Sequence, residues 1–334
     1  MFAARANVQR VKAQRAKTVQ RIKASRFEQV VIVTRRTQLE ALLARFNTTA
    51  QARFYLERAG DAFEPIEMEH QQYHGVLDSV RGLVPQRIKH IVIERGYLPQ
   101  YQFGERDLVV TIGPDGLVVN AAKYLQGQPI LAVNPMPDRI DGVLLPYNTG
   151  TIQRGLDGAL YGEINIKDIS MADVRLNDGQ QLLAFNDFFI GANSHVSAHY
   201  AIHSGKRHEV HSSSGIIVST GAGSTGWLQS VYAGAAGVIQ SLGGKVVPPA
   251  NYGRMDWSAN QLIYAVREPF PSKSSQARMV YGTITPNKPL VLHSHMADNG
   301  VIFSDGIEAD YLAFNRGAVA TIRVADKKSR LIMY

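Results

Sequence analysis

Apolar positions along this chain follow two different patterns, and the change falls near residue 165. In the first half, short continuous apolar runs alternate with stretches spaced for helix. Gln29 to Thr34 (QVVIVT) has the length and β-branched composition of a buried strand. Thr37 then stands where it can cap a helix over Gln38 to Phe46, in which Leu39, Leu42, Leu43 and Phe46 recur on one face. A second helix is expected to begin within Thr49 to Glu57. Ile88 to Ile93, Asp107 to Ile112 and Pro129 to Val133 read as strands, and Leu117 to Leu125 has helical character. Strands alternating with helices predict a parallel, doubly wound sheet.

Beyond residue 165 the helical spacing gives way to short strand-like segments. These are Gln181 to Ile190, His199 to His203, Gly215 to Ser219, Leu262 to Val266, Val280 to Thr285, Leu290 to His293, Val301 to Phe303 and Ala318 to Val324. Turn signals such as Ser204-Gly205, Pro286-Asn287 and Asp305-Gly306 separate them. The expected class is therefore α/β plus β, with an α/β domain over residues 27–165 and a mostly-β domain over 166–334. The glycine- and proline-rich stretch from Asn134 to Gly162 is the candidate connector.

Composition changes this picture in one place. The net charge of +8 suggests nucleic-acid binding until it is located. Eight cations, from Arg5 to Arg26, precede the first acid, Glu28, and setting them aside leaves 28 cations against 28 acids. The basicity belongs to a tail over residues 1–26, and the body is neutral, so nucleic acid is not an expected partner of the body. Val8, Val11, Val19 and Ile22 among the cations allow a weakly amphipathic basic helix, and the lack of acids also suits an organelle import segment. No run approaches the ~18 apolar residues that a membrane span needs. The absence of cysteine excludes disulfides, thiolate-ligated zinc and thiol catalysis, and fits a reducing compartment. The expected location is cytoplasmic.

Three segments carry candidate chemistry. Gly113-Pro114-Asp115-Gly116 follows a strand and opens a helix, at the strand end where open parallel sheets bind ligands. A helix N-terminus offers unpaired N–H groups to a phosphate, and Asp115 is placed to accept a proton from a hydroxyl or to meet a metal. Pro-Asp-Gly is also ordinary turn chemistry. Ser219 to Gly226 holds three glycines and four hydroxyls in eight residues, directly after an apolar strand, as a phosphate-wrapping loop or a flexible surface loop would. It lacks the lysine of a P-loop. Asn186-Asp187 interrupts an apolar run, where an amide and a carboxylate can read a base edge or ribose hydroxyls, or simply make a turn or bulge. Five histidines, His195, His199, His203, His208 and His211, lie within seventeen residues. The turn at Ser204 to Arg207 predicts that His199, His203, His208 and His211 form an exposed ribbon, so they are read as surface histidines at a subunit contact rather than a metal site. No residue is assigned as a metal ligand.

In order and spacing these segments resemble the NAD kinase family over roughly residues 29–324. The family's Gly-Gly-Asp-Gly turn is matched by Gly113 to Gly116, its Asn-Glu or Asn-Asp pair by Asn186-Asp187, its Thr-x-x-Gly-Ser-Thr-Ala-Tyr loop by Thr220 to Trp227, and a late Asp-Gly by Asp305-Gly306. Pro129 to Asn134 is similar to the family's Pro-Val-Leu-Gly-Ile-Asn strand. The resemblance implies a Rossmann-like N-terminal domain, a C-terminal β-sandwich domain and an active site between them. It implies phosphoryl transfer from ATP or polyphosphate to the 2′-hydroxyl of NAD with Mg²⁺ or another divalent cation, in a homodimer or homotetramer. Asp115 would be the catalytic base. Gly113, Gly116, Asn186, Asp187, Thr220, Gly223, Ser224 and Thr225 would bind nucleotide.

The chain also departs from the family pattern. Pro114 replaces a glycine and removes a backbone donor where phosphate is expected. Leu117 stands for threonine, Gly226-Trp227 for Ala-Tyr, and Ser214-Gly215 for Asp-Gly, while Asn134 to Pro137 lacks the usual glycines. A C-terminal return helix is not expected before Tyr334. These changes keep two alternatives open: a nucleotide-binding regulator with weak or no catalysis, and a kinase of a sugar or lipid acceptor. Arg254 to Trp257 receives no functional reading.

Overall fold

The computed structural model describes residues 25–246 and 254–334. Residues 1–24, most of the basic tail, lie outside that description. The N-terminal half runs β1 (Gln29–Thr34), α1 (Gln38–Phe46), α2 (Thr49–Ala59), α3 (Glu64–Leu83), β2 (Lys89–Glu94), β3 (Asp107–Ile112), α4 (Asp115–Tyr124) and β4 (Pro129–Asn134). Its strands are parallel neighbours in the order β4-β3-β1-β2. Val30, Ile32, Leu108 and Val110 pack with Tyr73, Val76 and Val80 of α3. Val31, Val33, Val109 and Ile130 pack on the other face with Leu117 and Val118 of α4. Burial on both faces is why β1, β3 and β4 read as continuous apolar runs, whereas β2, at the sheet edge, is mostly exposed. Thr37 caps α1 in a reciprocal capping box with Glu40.

The stretch expected to be a plain connector holds β5 (Tyr147–Asn148) and α5 (Ile152–Tyr161). Ile152, Leu156, Ala159 and Leu160 bury one face of α5, which its glycines had disguised. The chain continues through β6 (Asn165–Leu176), β7 (Gln181–Ala184), β8 (Asp187–Ala192), β9 (Ala198–Ser204), β10 (Arg207–Ser213), β11 (Ile216–Ser219) and α6 (Trp227–Ser241). It ends with β12 (Leu262–Val266), β13 (Tyr281–Ile284), β14 (Leu290–Ser294), β15 (Gly300–Ser304), β16 (Ile307–Ala313) and β17 (Val319–Met333). The single strand expected over Gln181 to Ile190 is thus two strands, broken at Phe185-Asn186.

Six of these strands form an antiparallel sheet, β13-β12-β11-β8-β15-β16. Its Phe188, Ile190, Ile216, Val218 and Ile302 share one core with Val174, Tyr200, Ile202, Leu292 and Ile322 of the other sheet. Alternate residues face inward from both sides, the arrangement of a β-sandwich. β17 joins the two halves of the protein. It pairs with β6 and β14 antiparallel, then with β4 parallel at Arg330 and Leu331, making one eleven-stranded sheet. The sequence expectation stopped at Val324 because the charged run from Asp326 to Arg330 hides the strand, which bulges between Val324 and Lys328.

The turn at Ser204 to Arg207 joins β9 to β10 as expected, and His199 and His208 are exposed. His211 is a correction to the exposed ribbon. It is fully buried, packs on Tyr200 and lies 3.0 Å from the Glu209 carboxylate. Among the described residues, no helix is long and apolar enough to cross a membrane.

Candidate functional site

The site lies between the carboxyl edge of the parallel sheet and the open end of the sandwich. β3 delivers its chain to Gly113, Pro114 takes the helix-capping position, and Asp115 is the first residue of α4. The Leu144 N–H donates to Asp115 Oδ1 at 2.6 Å, so the loop after β4 fixes the carboxylate and leaves Oδ2 without a hydrogen-bond partner among the described residues. Asp115 and Gly116 line a cavity of about 230 Å³ together with Asn186, Asp187, Gly223 and Thr225. Asp115 is thereby brought to one wall with residues that lie 71 to 110 positions after it in the sequence.

The break between β7 and β8 is held on every backbone group. The Asp305 carboxylate accepts the N–H groups of Phe185, Asn186 and Asp187 at 2.9, 2.6 and 3.2 Å. Thr220 Oγ1 donates to the Phe185 carbonyl at 2.6 Å, and its N–H to the Asn186 carbonyl at 2.9 Å. The Asp305 N–H donates to the Asp187 carbonyl at 3.0 Å. The backbone needs no side chain of its own here, which leaves those of Asn186 and Asp187 to face the cavity.

Three of the expected nucleotide-binding residues do not reach the wall. Thr220 and Ser224 are fully buried. Ser224 Oγ donates to the Gly221 carbonyl at 2.7 Å and accepts the Met255 N–H at 3.0 Å. These two hydroxyls hold the loop in shape. Gly113 packs under Leu117 and is likewise off the wall. The loop glycines answer a packing need: a Cβ on Gly223 would collide with the Asn186 carbonyl, and one on Gly221 with the Asp256 carbonyl. The same close approach brings in two wall residues the sequence left unexplained, Arg254 and Trp257.

Pro114 is not on the wall either. Its φ of −72° is the angle its ring imposes, so it fits the helix start without strain. The donor it lacks is therefore not lost from the cavity. Pro114→Gly is expected to lower stability by about 0.5–1 kcal/mol through the freer unfolded chain, with nucleotide affinity unchanged. A many-fold gain in affinity or turnover would show instead that Pro114 had eroded a phosphate site.

A second cavity, of about 360 Å³, shares Asp187 with the first. Its wall is an aromatic shelf. Phe189 stacks near Trp227 (centroids 5.8 Å apart) and near Phe303 (6.3 Å), and the Arg267 guanidinium lies 5.4 Å from the Trp227 ring centre. Alternation on β8 puts Phe189 on the face opposite the sandwich core, a signal present in the sequence.

Burial, and then the nearby Asp305 charge, push the Asp187 carboxyl up to about 7. Burial pushes Asp305 up to about 6, against the opposing pull of its three backbone N–H groups and Lys123. Both folded values lie above the ordinary carboxyl range, so the native chain keeps protons that the unfolded chain has released. Stability from these groups is complete below about pH 4 and is lost as pH rises towards 7. Asp187→Asn is expected to flatten that slope and to raise stability at pH 8 by about 1–3 kcal/mol. An unchanged dependence of melting temperature on pH would overturn the assignment.

No family model and no curated protein matches this sequence. Solved structures do match the fold. A yeast NADH kinase complexed with NADH superposes with a TM-score of 0.58 at 12% identity, over 92% of this chain and 83% of that one. An NAD kinase from Archaeoglobus fulgidus in complex with ATP superposes with a TM-score of 0.52 at 14% identity, over 91% of this chain and 92% of that one. The chain has an NAD kinase-like fold. Within it, the first cavity sits where the α/β half meets the sandwich, the second is lined by the sandwich half alone, and the NAD kinase-like motifs of the sequence supply both wall residues and the buried struts behind them.

Proposed function

We propose that this protein is a nucleotide-binding phosphotransferase that moves a phosphoryl group from ATP or polyphosphate to the 2′-hydroxyl of NAD or a closely related acceptor. The observation that carries the reading is the convergence of Asp115, at a helix N-terminus, with Asn186, Asp187 and Thr225 on one cavity. The adjoining aromatic shelf supports a ligand with two planar groups, since stacking and cation–π contacts suit a base or nicotinamide ring.

In this reading Asn186 and Asp187 orient the adenosine, Thr225 and Arg254 meet phosphate oxygens, and Asp115 accepts the proton of the acceptor hydroxyl. The hydroxyl oxygen bonds to the transferred phosphorus as the bond to the donor's bridging oxygen breaks, leaving ADP or a shortened polyphosphate. Asp115 and Asp187 are the wall's two carboxylates, and among the described residues the cavity has no three-ligand cluster. Mg²⁺ is commonly held largely by water and substrate phosphates, so the ion would enter with the donor's phosphates and leave Asp115 to take the proton and Asp187 to orient the adenosine. Bound there, the ion would neutralise phosphate charge. Assembly as a homodimer or homotetramer belongs to the same proposal.

The test is NADP formation, followed in a coupled assay with NAD, Mg²⁺ and either ATP or polyphosphate. NADP production supports the reading. Stabilisation by nucleotide without product would favour a regulator, and stabilisation by a sugar or lipid alone would change the acceptor.

A further inference from the structure

Away from these cavities, α1 and α3 bring Glu40, His70 and His74 together. One ligand atom of each lies within 4.8 Å of the other two. His70 and His74 are four residues apart on α3, one turn along the same face, with ring centres 4.4 Å apart. Glu40 comes from the first turn of α1, and its Oε1 lies 3.0 Å from His74 Nε2.

The atoms behind this cluster are already restrained. Glu40 Oε2 accepts the Thr37 N–H at 2.8 Å, which leaves Oε1 as the oxygen on the histidine side. Thr37 Oγ1 lies 2.8 Å from His70 Nδ1. One capping threonine therefore orients both a carboxylate and an imidazole, as outer partners do around metal ligands. All three side chains are partly exposed, so an ion and water can reach them.

We propose that Glu40, His70 and His74 form a binding site for a divalent transition-metal ion of the Zn²⁺ class, with water completing the coordination. Two imidazoles and one carboxylate make a mixed nitrogen and oxygen set that suits zinc, whereas Mg²⁺ and Ca²⁺ prefer oxygen alone. Tetrahedral zinc places neighbouring nitrogen and oxygen ligands about 3.4 Å apart. The existing His74 to Glu40 contact needs to open by only a few tenths of an ångström. The ion would pin α1 to α3 at the carboxyl edge of the sheet. Tyr73, between the two histidines, donates to the Ile112 carbonyl at 2.8 Å, immediately before the Gly113 turn.

The test uses the untagged full chain, stripped with chelator, and the metal alone without nucleotide, so its outcome is independent of phosphoryl transfer. Titration with Zn²⁺ is expected to show one equivalent lost in the His70→Gln, His74→Gln double variant. Each single variant is expected to bind at least ~10-fold more weakly. Co²⁺ is expected to give the intense visible bands of four-coordinate cobalt. Melting temperatures in chelator establish that the variants fold, and Glu40→Gln provides a variant outside α3. The half-buried His203 and the exposed His208 and His293 form a neighbouring-strand cluster of their own. A His203→Gln, His293→Gln variant is the control, expected to keep the equivalent. Absence of any bound equivalent, or its loss in the control but not in the His70 and His74 variants, would overturn the site.

Discussion

Asp115→Asn is expected to lower the rate of phosphoryl transfer by about 10²–10⁴-fold, the usual worth of a positioned general base, while nucleotide affinity stays within a few-fold. The substitution is chosen for what it preserves. Asparagine keeps an Oδ1 to accept the Leu144 N–H, now at 2.6 Å, so the loop after β4 stays where it is. It replaces Oδ2, the carboxylate oxygen that has no hydrogen-bond partner among the described residues and that would take the acceptor's proton. Loss of a group acting only in the transition state lowers kcat and kcat/KM together and leaves binding alone. Stopped-flow or coupled kinetics, with nucleotide dissociation constants measured separately, tests this split. Undiminished turnover would remove Asp115 from the chemistry, and a large rise in KM with unchanged kcat would make it a binding residue.

The parts of this protein legible in sequence are those governed by local rules. β1 and β3 are continuous apolar runs because both faces are covered, and α1 announces itself through Thr37, Glu40 and its leucines. α3 and α6 were not expected. In α3, Ile66, Tyr73, Val76 and Val80 carry the buried face amid glycines and charges, and α6 buries only Leu228 and Ala236. At the site, sequence spacing located the right segments but not the direction their side chains take. Asp115, Asn186, Asp187 and Thr225 reach the cavity, whereas Thr220 and Ser224 turn inward to hold the loop. A count of hydroxyls and glycines is the same for a ligand-facing loop and a self-satisfied one. Arg254 and Trp257 could not be read locally, because a tertiary approach across Gly221 places them.

Asp305→Ala is expected to have the largest effect on stability, a loss of about 3 kcal/mol or more. The alanine leaves the N–H groups of Phe185, Asn186 and Asp187 without their acceptor, and each unsatisfied buried donor costs about 1–3 kcal/mol. Asp305 also has a φ of +56°, a left-handed conformation that aspartate and asparagine tolerate better than alanine. Asp305→Asn separates these contributions. It retains one acceptor oxygen and the tolerance for positive φ, and it removes a carboxyl already pushed up to about 6 by burial. Its loss is therefore expected to be well below that of alanine and to be smallest at high pH, where the wild-type carboxylate is charged and unfavourably buried. Urea unfolding of both variants at pH 6 and pH 8 measures this. Because the same three N–H groups position Asn186 and Asp187, alanine is also expected to weaken nucleotide binding even where the chain remains folded. If the alanine variant unfolds at the wild-type urea midpoint, Thr220 alone holds the turn, and the late Asp-Gly pair must be explained by contact with ligand rather than by the backbone it clasps.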